Sequence, residues 1–211
     1  MSHDDYQFEP LPGLPSHLPE GEEILWQGRP SVFGFAQDVL RIHWVVGYFL
    51  FLIVWRAISN SDQGIAPVLQ NTVPLVVLGL AACGVILVIA WILAATTVYT
   101  ITNKRIVIRK GAALSFALNL PFAQMVSADL SMKRSGRGTI ALTMSEPLGM
   151  SYLVLWPHVR PWKMAEVRPS LRSIKDARAI SDILADAAVS FTREVPDATV
   201  EPRGAHAFPA E

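Results

Sequence analysis

The sequence predicts a membrane α + β protein. A two-helix transmembrane hairpin precedes a cytoplasmic antiparallel β barrel or sandwich, which a C-terminal amphipathic helix caps. Residues 63–103 form a run of 41 positions without a charged side chain, long enough for a helix to cross a hydrocarbon core of about 30 Å. From residue 97 apolar and polar residues alternate, as in half-buried strands, and residues 174–192 repeat apolar side chains at helical spacing.

Composition and charge narrow the class of protein. The 211 residues suit one or two domains, and a hydrophobic content of 51% is high for a water-soluble chain. The net charge is zero, but residues 1–43 hold seven acidic residues against two arginines, and residues 104–211 hold fifteen Lys or Arg against ten acidic residues. The single cysteine, Cys83, lies inside the apolar run, which argues against a disulfide-built secreted domain. The acidic start has no signal-peptide pattern.

The N-terminal part divides into a tail and a short folded segment. Residues 1–21 hold four prolines and few aliphatic side chains, which predicts a disordered tail. Residues 22–41 follow, with a strand predicted at 22–27 because glycine and proline bound a short apolar run. An amphipathic segment at 31–41 is expected to lie at the membrane surface.

Residues 42–96 predict the transmembrane hairpin, with spans at 42–58 and 73–95 joined by a polar connection. Thirteen Val, Ile or Leu residues in the second span favour insertion by roughly 4–8 kcal/mol. Three small residues of this span predict a face on which the first helix packs closely, namely Gly79, Ala82 and Cys83. Buried helices of a soluble core are the alternative interpretation of both spans.

The distribution of cations predicts the orientation of this hairpin. Four cations follow the second span within fifteen residues, namely Lys104, Arg105, Arg109 and Lys110. The connection at 59–72 contains no Lys or Arg. The positive-inside bias therefore predicts that both termini lie in the cytoplasm and that the chain crosses the inner membrane twice.

Residues 97–192 predict the β domain. Turn residues separate six expected strands, at 97–103, 105–110, 113–119, 123–131, 138–144 and 150–156. The strand at 22–27 is a candidate seventh strand of the same domain. Residues 157–172 contain three prolines and predict an irregular connection.

The C-terminal part predicts one helix and a second tail. Residues 174–192 place six apolar side chains on one helical face, which should cover an end or a face of the strands. Ser173 is the expected N-cap, and Asp176 is placed to close a capping box. Residues 193–211 are polar and predict a disordered tail.

Several stretches resemble known families. The element Tyr99, Thr102, Asn103 and Arg105 resembles the start of the pleckstrin-homology-like (PH-like) domain of bacterial membrane proteins, which implies a PH-like β domain. Residues 8–30, 118–130 and 151–174 are similar to the PuhB family of photosynthetic complex assembly proteins of purple phototrophic bacteria. That resemblance implies a role in assembling the reaction centre and core light-harvesting complex 1, in the intracytoplasmic photosynthetic membrane.

The candidate partner-binding residues lie mainly in the stretch WPHVRPW. Tryptophan and arginine are enriched at binding hot spots, and proline lowers the cost of ordering a loop. The candidates are Trp156, His158, Arg160, Trp162, Trp26 and Arg29. The alternative for residues 156–162 is a rigid linker whose aromatic rings pack under the C-terminal helix, and Trp26 with Arg29 is more simply read as structural.

The remaining polar residues predict no enzyme. No catalytic motif occurs, the five histidines lack metal-ligand spacing, and no cofactor or metal is expected. The cations Lys104, Arg105, Arg109 and Lys110 are candidates for contact with anionic lipid, unless they serve only as the orientation signal and as solvated strand faces. His43 could ligate a pigment, but its place at the mouth of the first span favours an interfacial role.

Three functions follow as hypotheses. The first is an assembly factor that binds reaction-centre or core antenna subunits without turnover, and the second is a general membrane-anchored lipid- or peptide-binding module. The third is a pigment carrier that uses His43. The sequence leaves open whether the chain forms a homodimer, and it contains no nucleic-acid-binding motif.

Overall fold

A computed structural model describes residues 18–111, 116–161 and 167–194. Five helices are named α1 to α5 in chain order, Val32–Asp38, Ile42–Ser59, Ile65–Ala95, Tyr152–Leu155 and Ala177–Glu194. Seven strands are named β1 to β7, Ile24–Gly28, Val98–Thr102, Arg105–Lys110, Phe116–Pro121, Met125–Met132, Gly138–Met144 and Ser170–Ile174. Two long apolar helices therefore precede most of the sheet structure, as expected from the sequence.

Helices α2 and α3 form an antiparallel pair that is long and apolar enough to cross a membrane. Gly79 of α3 is buried under Phe49 of α2, since a Cβ atom at Gly79 would lie 3.0 Å from the Phe49 ring. A small residue at this position thus lets the two helices approach closely, as predicted.

Helix α3 begins eight residues before the predicted span. The expected polar connection at 59–72 holds only a short 3-10 turn at Ser61–Gln63 and the first two turns of α3. Pro67 lies in the first turn of α3, where its missing N–H needs no partner. Proline and glycine therefore mark the start of a helix here and not the interior of a loop.

Helix α1 packs against α3. Phe35 and Ala36 are fully buried against Ala90 near the C-terminal end of α3. Ser31 caps α1 by accepting a hydrogen bond from the Gly34 N–H at 3.4 Å. This face of α1 is thus covered by protein, because α1 lies between α3 and the β domain, and the location of residues 31–41 at a membrane surface stays a prediction.

The β domain is a sandwich of two antiparallel sheets. One sheet has the order β1-β2-β3-β4 and the other has the order β5-β6-β7. The predicted N-terminal strand is β1, which pairs with β2 and places Gln27 opposite Thr100. The core lies between the sheets and under α5, and the sheets do not close into a barrel.

Two predictions for residues 150–172 are wrong. The expected strand at 150–156 is the short helix α4, because Ser151 caps it by accepting from the Val154 N–H. The expected irregular connection at 157–172 contains the start of β7, which pairs with β6. Its residues Ser170 and Arg172 are polar yet buried, so the sequence lacks the alternation that marks a half-buried strand.

Helix α5 covers the sandwich as predicted but has a different start. Ala177, Ile180 and Leu184 pack into the core. Ser173 lies in β7 and is not the N-cap of α5. The carbonyl of Asp176 accepts the N–H of Ile180 at 3.2 Å, and Asp176 has a left-handed φ of 49°.

The predicted tails lie largely outside the described residues. Residues 18–21 end in a turn in which the Glu22 N–H donates to the Pro19 carbonyl at 3.0 Å. Residues 193–194 belong to the last turn of α5.

Candidate functional site

The polar centre of the molecule is the joint between α3 and β2. Only Thr96 and Thr97 separate these elements. Thr97 Oγ1 donates to the carbonyl of Leu93, in the last turn of α3, at 2.7 Å. The same oxygen lies 3.2 Å from Nε2 of His158. One buried hydroxyl therefore connects the long helix to the stretch WPHVRPW.

Tyr99 completes this connection from the first sheet. Its hydroxyl accepts the backbone N–H of Arg172 at 3.1 Å and lies 2.8 Å from Nδ1 of His158. The hydroxyl proton is therefore free to donate to Nδ1, and the Nε2–H of His158 then donates to Thr97. The neutral Nε2–H tautomer is the one that satisfies all three groups.

Burial sets the protonation of this joint. Desolvation, with smaller contributions from the charges of Lys110 and Arg172, lowers the pKa of His158 to about 3. Burial likewise raises the pKa of Tyr99, against the opposing effect of Arg172. Both rings are neutral near pH 7, so the joint acts as a neutral hydrogen-bonded chain and not as an acid–base pair.

Arg172 ties α1 to the same joint. Its Nη2 donates to the carbonyl of Asp38 at 2.8 Å, and its Nη1 reaches the carbonyl of Pro157 at 3.4 Å. Ser173 Oγ donates to Oδ2 of Asp38 at 2.9 Å, and Lys133 forms an ion pair with Oδ1 of the same carboxylate. Helix α1, strand β7 and the β5–β6 turn thus meet at the end of α1.

The stretch WPHVRPW is divided between the core and the surface. His158 is buried, so the prediction that it contacts a partner is wrong. Trp156 is 38% exposed, and Arg160 Nη1 lies 3.3 Å from Oδ2 of Asp129 on the surface. Trp162 lies outside the described residues. Trp156 and Arg160 remain the accessible candidates.

Trp26 and Arg29 lie in different environments, one packed on the core and the other exposed to solvent. The Trp26 ring packs against the core and covers Gly28, because a Cβ atom at Gly28 would lie 2.3 Å from that ring. Arg29 is exposed beyond the end of β1. Trp26 thus has a packing role, in keeping with its structural interpretation.

The four cations expected to contact lipid do not form one cluster. Lys104 and Arg105 lie at the turn between β2 and β3, and Arg105 forms a bidentate ion pair with Glu22 at 2.8 and 3.0 Å. Arg109 pairs with Val98, next to the end of α3, and is buried. Lys110 donates to the carbonyls of α4 and its C-cap. Of these four cations, Arg109 and Lys110 therefore lie at the end of β3 that is nearer to α3.

His43 lies exposed in the first turn of α2, with its ring 6.1 Å from that of Trp44. Among the residues that the structure describes, no group of three or more His, Cys, Asp or Glu side chains is arranged to hold a metal ion.

A cavity of about 480 Å³ lies beside the start of α2. The end of α1, the start of α2, strands β5 and β6, and β7 supply its walls. Its charged and imidazole lining residues are Asp38, Arg41, His43, Asp129, Lys133, Arg160 and Arg172. Sequence reasoning missed this site because its residues come from segments far apart in the chain.

Comparisons with known proteins agree with this architecture. The bacterial PH domain family matches residues 44–188, a range that includes most of the helix pair. An uncharacterized 23.7 kDa protein in the puhA 5′ region of Rhodobacter capsulatus is 39% identical over 211 residues, covering 99% of this chain and 98% of that protein. No solved structure matches the chain. These relationships confirm the resemblances drawn from the sequence, and the chain belongs to the bacterial PH domain family.

Proposed function

We propose that the protein is a non-enzymatic assembly factor for the photosynthetic reaction centre and core light-harvesting complex 1. In this proposal α2 and α3 cross the inner membrane, both termini lie in the cytoplasm, and the sandwich rests on the cytoplasmic membrane surface. The protein holds a membrane-embedded subunit through its helices and its β domain until other subunits arrive.

The exposed apolar surface of the helix pair supports a place in the membrane. No residue of α2 is buried, although most of its side chains are apolar. Soluble monomers rarely expose apolar patches larger than a few hundred Å². Lipid would cover this surface, since α-helices satisfy their backbone hydrogen bonds internally.

The joint is the observation that carries the proposal. With only two residues between α3 and β2, and with Thr97 bonded to both Leu93 and His158, the β domain has no flexible linker to the helices. A partner would meet the helices and the sandwich as one continuous surface. That arrangement suits a client that has both membrane-embedded and cytoplasmic parts.

Helix α4 supplies the most exposed apolar contact of the β domain near the helix pair. Leu153 is 81% exposed, and Val154 and Trp156 are exposed beside it. Lys110 connects this helix to the end of β3, whose neighbour Arg109 pairs with Val98 close to α3. Leu153 and Trp156 are therefore the residues we propose for client contact.

The relative in the puhA 5′ region of Rhodobacter capsulatus supports a photosynthesis-related role. It agrees with the resemblance to the PuhB family, which implies assembly of the reaction centre and core antenna. Neither argument selects one subunit as the client.

Co-purification in mild detergent from phototrophically grown membranes tests the proposal. Reaction-centre or core antenna subunits should accompany the wild-type chain. Leu153→Ala combined with Trp156→Ala should weaken the affinity for these subunits by roughly 30-fold, the effect of losing one hot spot of about 2 kcal/mol, and should lower their recovery accordingly. Val126→Ala, at an exposed position on β5, is the matched control and should leave recovery unchanged.

A deletion strain provides the second arm of this test. Reaction-centre and core antenna levels should fall while pigment synthesis continues. Normal levels of both complexes in the deletion strain would rule out an assembly role.

A membrane-anchored lipid-binding module is the second candidate function. The cation-lined cavity beside α2 favours it, and the two functions are compatible in one protein.

A further inference from the structure

The cavity beside the start of α2 carries an excess of positive charge. Four cationic side chains line it, namely Arg41, Lys133, Arg160 and Arg172, against the two carboxylates of Asp38 and Asp129. Its volume of about 480 Å³ lies within the usual range of small-ligand sites.

Both carboxylates already have partners inside the protein. Asp38 accepts from Ser173 and pairs with Lys133. Asp129 lies 3.3 Å from Arg160 and 3.4 Å from Arg168. Among the described residues, neither Arg41 nor Arg172 forms an ion pair with these carboxylates, although the charge of Asp38 still acts on Arg172.

Those arginines lie at the inner and outer parts of the cavity. Arg172 is only 6% exposed, and its Nε has no hydrogen-bond partner among the described residues. The Arg41 guanidinium is exposed and has no hydrogen-bond or ion-pair partner in the described part of the chain. Burial, helped by the charge of Arg41, lowers the pKa of Arg172, while Tyr99 and Asp38 oppose this. The two guanidinium groups thus repel each other, and an anion bound between them would offset this repulsion.

The start of α2 adds to this positive potential. Arg41 occupies the N-cap position with a φ of 55°, and no side chain caps the helix there. The first N–H groups of a helix carry partial positive charge and favour phosphate.

The position of the cavity at the start of α2 indicates that a phosphate bound there would belong to a lipid headgroup. Trp44 follows Arg41 and His43 within one turn and begins the exposed apolar surface of α2. If α2 crosses the bilayer, these residues lie at the level of the lipid headgroups, where Trp and Arg side chains are enriched.

We propose that this cavity binds the phosphodiester headgroup of an anionic phospholipid, with Arg41 and Arg172 as its principal contacts. The proposal rests on the membrane crossing of α2 in the proposed function. It assigns lipid recognition to a pocket between α1, α2 and β5–β7, and not to the strand cations Lys104 and Arg105.

Lipid-dependent thermal stability of the full chain in detergent micelles tests this proposal. Phosphatidylglycerol should raise the unfolding temperature in a concentration-dependent way, because a ligand that binds only the folded state stabilises it. Phosphatidylcholine should have little effect. Arg41→Gln should weaken the phosphatidylglycerol response by about tenfold in concentration, as expected for the loss of one charge-assisted hydrogen bond.

Arg56→Gln is the matched control, because Arg56 is exposed at the opposite end of the same helix. Its response to phosphatidylglycerol should equal that of the wild type. Equal responses of Arg41→Gln and wild type would overturn the proposal, and so would equal stabilisation by inorganic phosphate alone.

This test is independent of the assembly role. If the wild-type chain shows no phosphatidylglycerol response but reaction-centre subunits are still recovered with it, the pocket is contradicted and the proposed function is left intact. A wild-type chain that remains outside the membrane fraction would instead contradict the membrane crossing itself.

Discussion

The helix pair and the β domain use apolar residues in opposite ways. Helix α2 buries none of its residues, whereas all five residues of β7 are buried, including Arg172 and two serines. The helix pair therefore leaves most of its apolar side chains exposed, while the sandwich makes its own apolar interior. Hydrophobicity alone does not distinguish these cases, because the surroundings of each element decide which face is covered.

The two regions also differ in where they place polar groups. The helix pair keeps them at its turn, where Asn71 donates to the Asn60 side chain at 3.3 Å. The β domain buries Thr97, Tyr99 and His158 in a chain that reaches the last turn of α3. The polar joint thus lies at the boundary between the two regions.

The largest expected effect comes from charging the apolar surface of α3. The side chains of Leu80 and Val85 are both exposed on α3. Leu80→Arg combined with Val85→Arg should prevent stable insertion into the bilayer, because two arginines near the centre of a membrane helix cost roughly 5–7 kcal/mol. Val189→Arg, on the exposed side of α5, should change stability by no more than about 0.5 kcal/mol. Carbonate extraction of membranes measures the difference, and equal membrane fractions for both variants would erase the contrast between the regions.

The ion pair between Glu22 and Arg105 should give the next largest effect. Arg105→Ala leaves the Glu22 carboxylate, whose side chain is 2% exposed, without its bidentate partner. We expect a loss of about 3 kcal/mol in the free energy of unfolding, the low end for a broken buried pair. Denaturant unfolding measures it.

Two further variants control that measurement. Glu22→Gln with Arg105→Ala should recover part of the loss, since no buried charge remains. Arg29→Ala, which removes an exposed arginine, should unfold like the wild type. A single Arg105→Ala variant as stable as the wild type would show that the pair does not hold β1 in the sheet.

Removing the Tyr99 hydroxyl should have a somewhat smaller effect. Tyr99→Phe leaves the Arg172 N–H and Nδ1 of His158 without their partner, which should cost about 2–3 kcal/mol. Tyr48→Phe, an exposed position on α2, is the matched control and should be neutral. Thermal unfolding followed by near-ultraviolet circular dichroism compares the two, and matching curves would contradict the hydrogen-bonded joint.

The smallest expected effect is a dependence of stability on pH. The pKa of His158 is about 3 in the folded chain and 6.5 in the unfolded chain, so the unfolded state binds more protons below pH 6.5. Stability should therefore fall as the pH decreases, by about 1 kcal/mol between pH 7 and pH 5.5 from this group.

His158→Gln isolates that contribution. The variant should be less stable at pH 7 but should lack this part of the slope. Parallel pH profiles for the variant and the wild type would mean that His158 is not the group that titrates on unfolding.

Local patterns predicted those elements that depend on their own residues. The two apolar helices, the strands from β2 to β6 and helix α5 follow from period and length. The exceptions have two causes. Residues 150–156 look like a strand, but Ser151 caps the short helix α4 there. Ser173 looks like a cap, but it lies in β7 and bonds to Asp38 in a distant part of the chain.

The candidate site was predictable only in part. The stretch WPHVRPW stood out by composition, yet the sequence did not indicate that His158 is buried while Trp156 is exposed. The cavity beside α2 draws Arg41 and Arg172 from positions 131 residues apart, and no spacing rule joins them.

The sequence by itself determined the apolar helix pair and the positions of most strands along the chain. These features depend on the period of hydrophobic residues, which each segment carries within itself. The PH-like class was implied instead by the resemblance of a short motif, Tyr99, Thr102, Asn103 and Arg105, to that domain. The tertiary structure alone decided that α1 packs on α3, that β7 exists, and that Tyr99 and His158 form a neutral joint. The reason is that a buried polar residue is stable only beside its partners, and those partners come from distant parts of the chain.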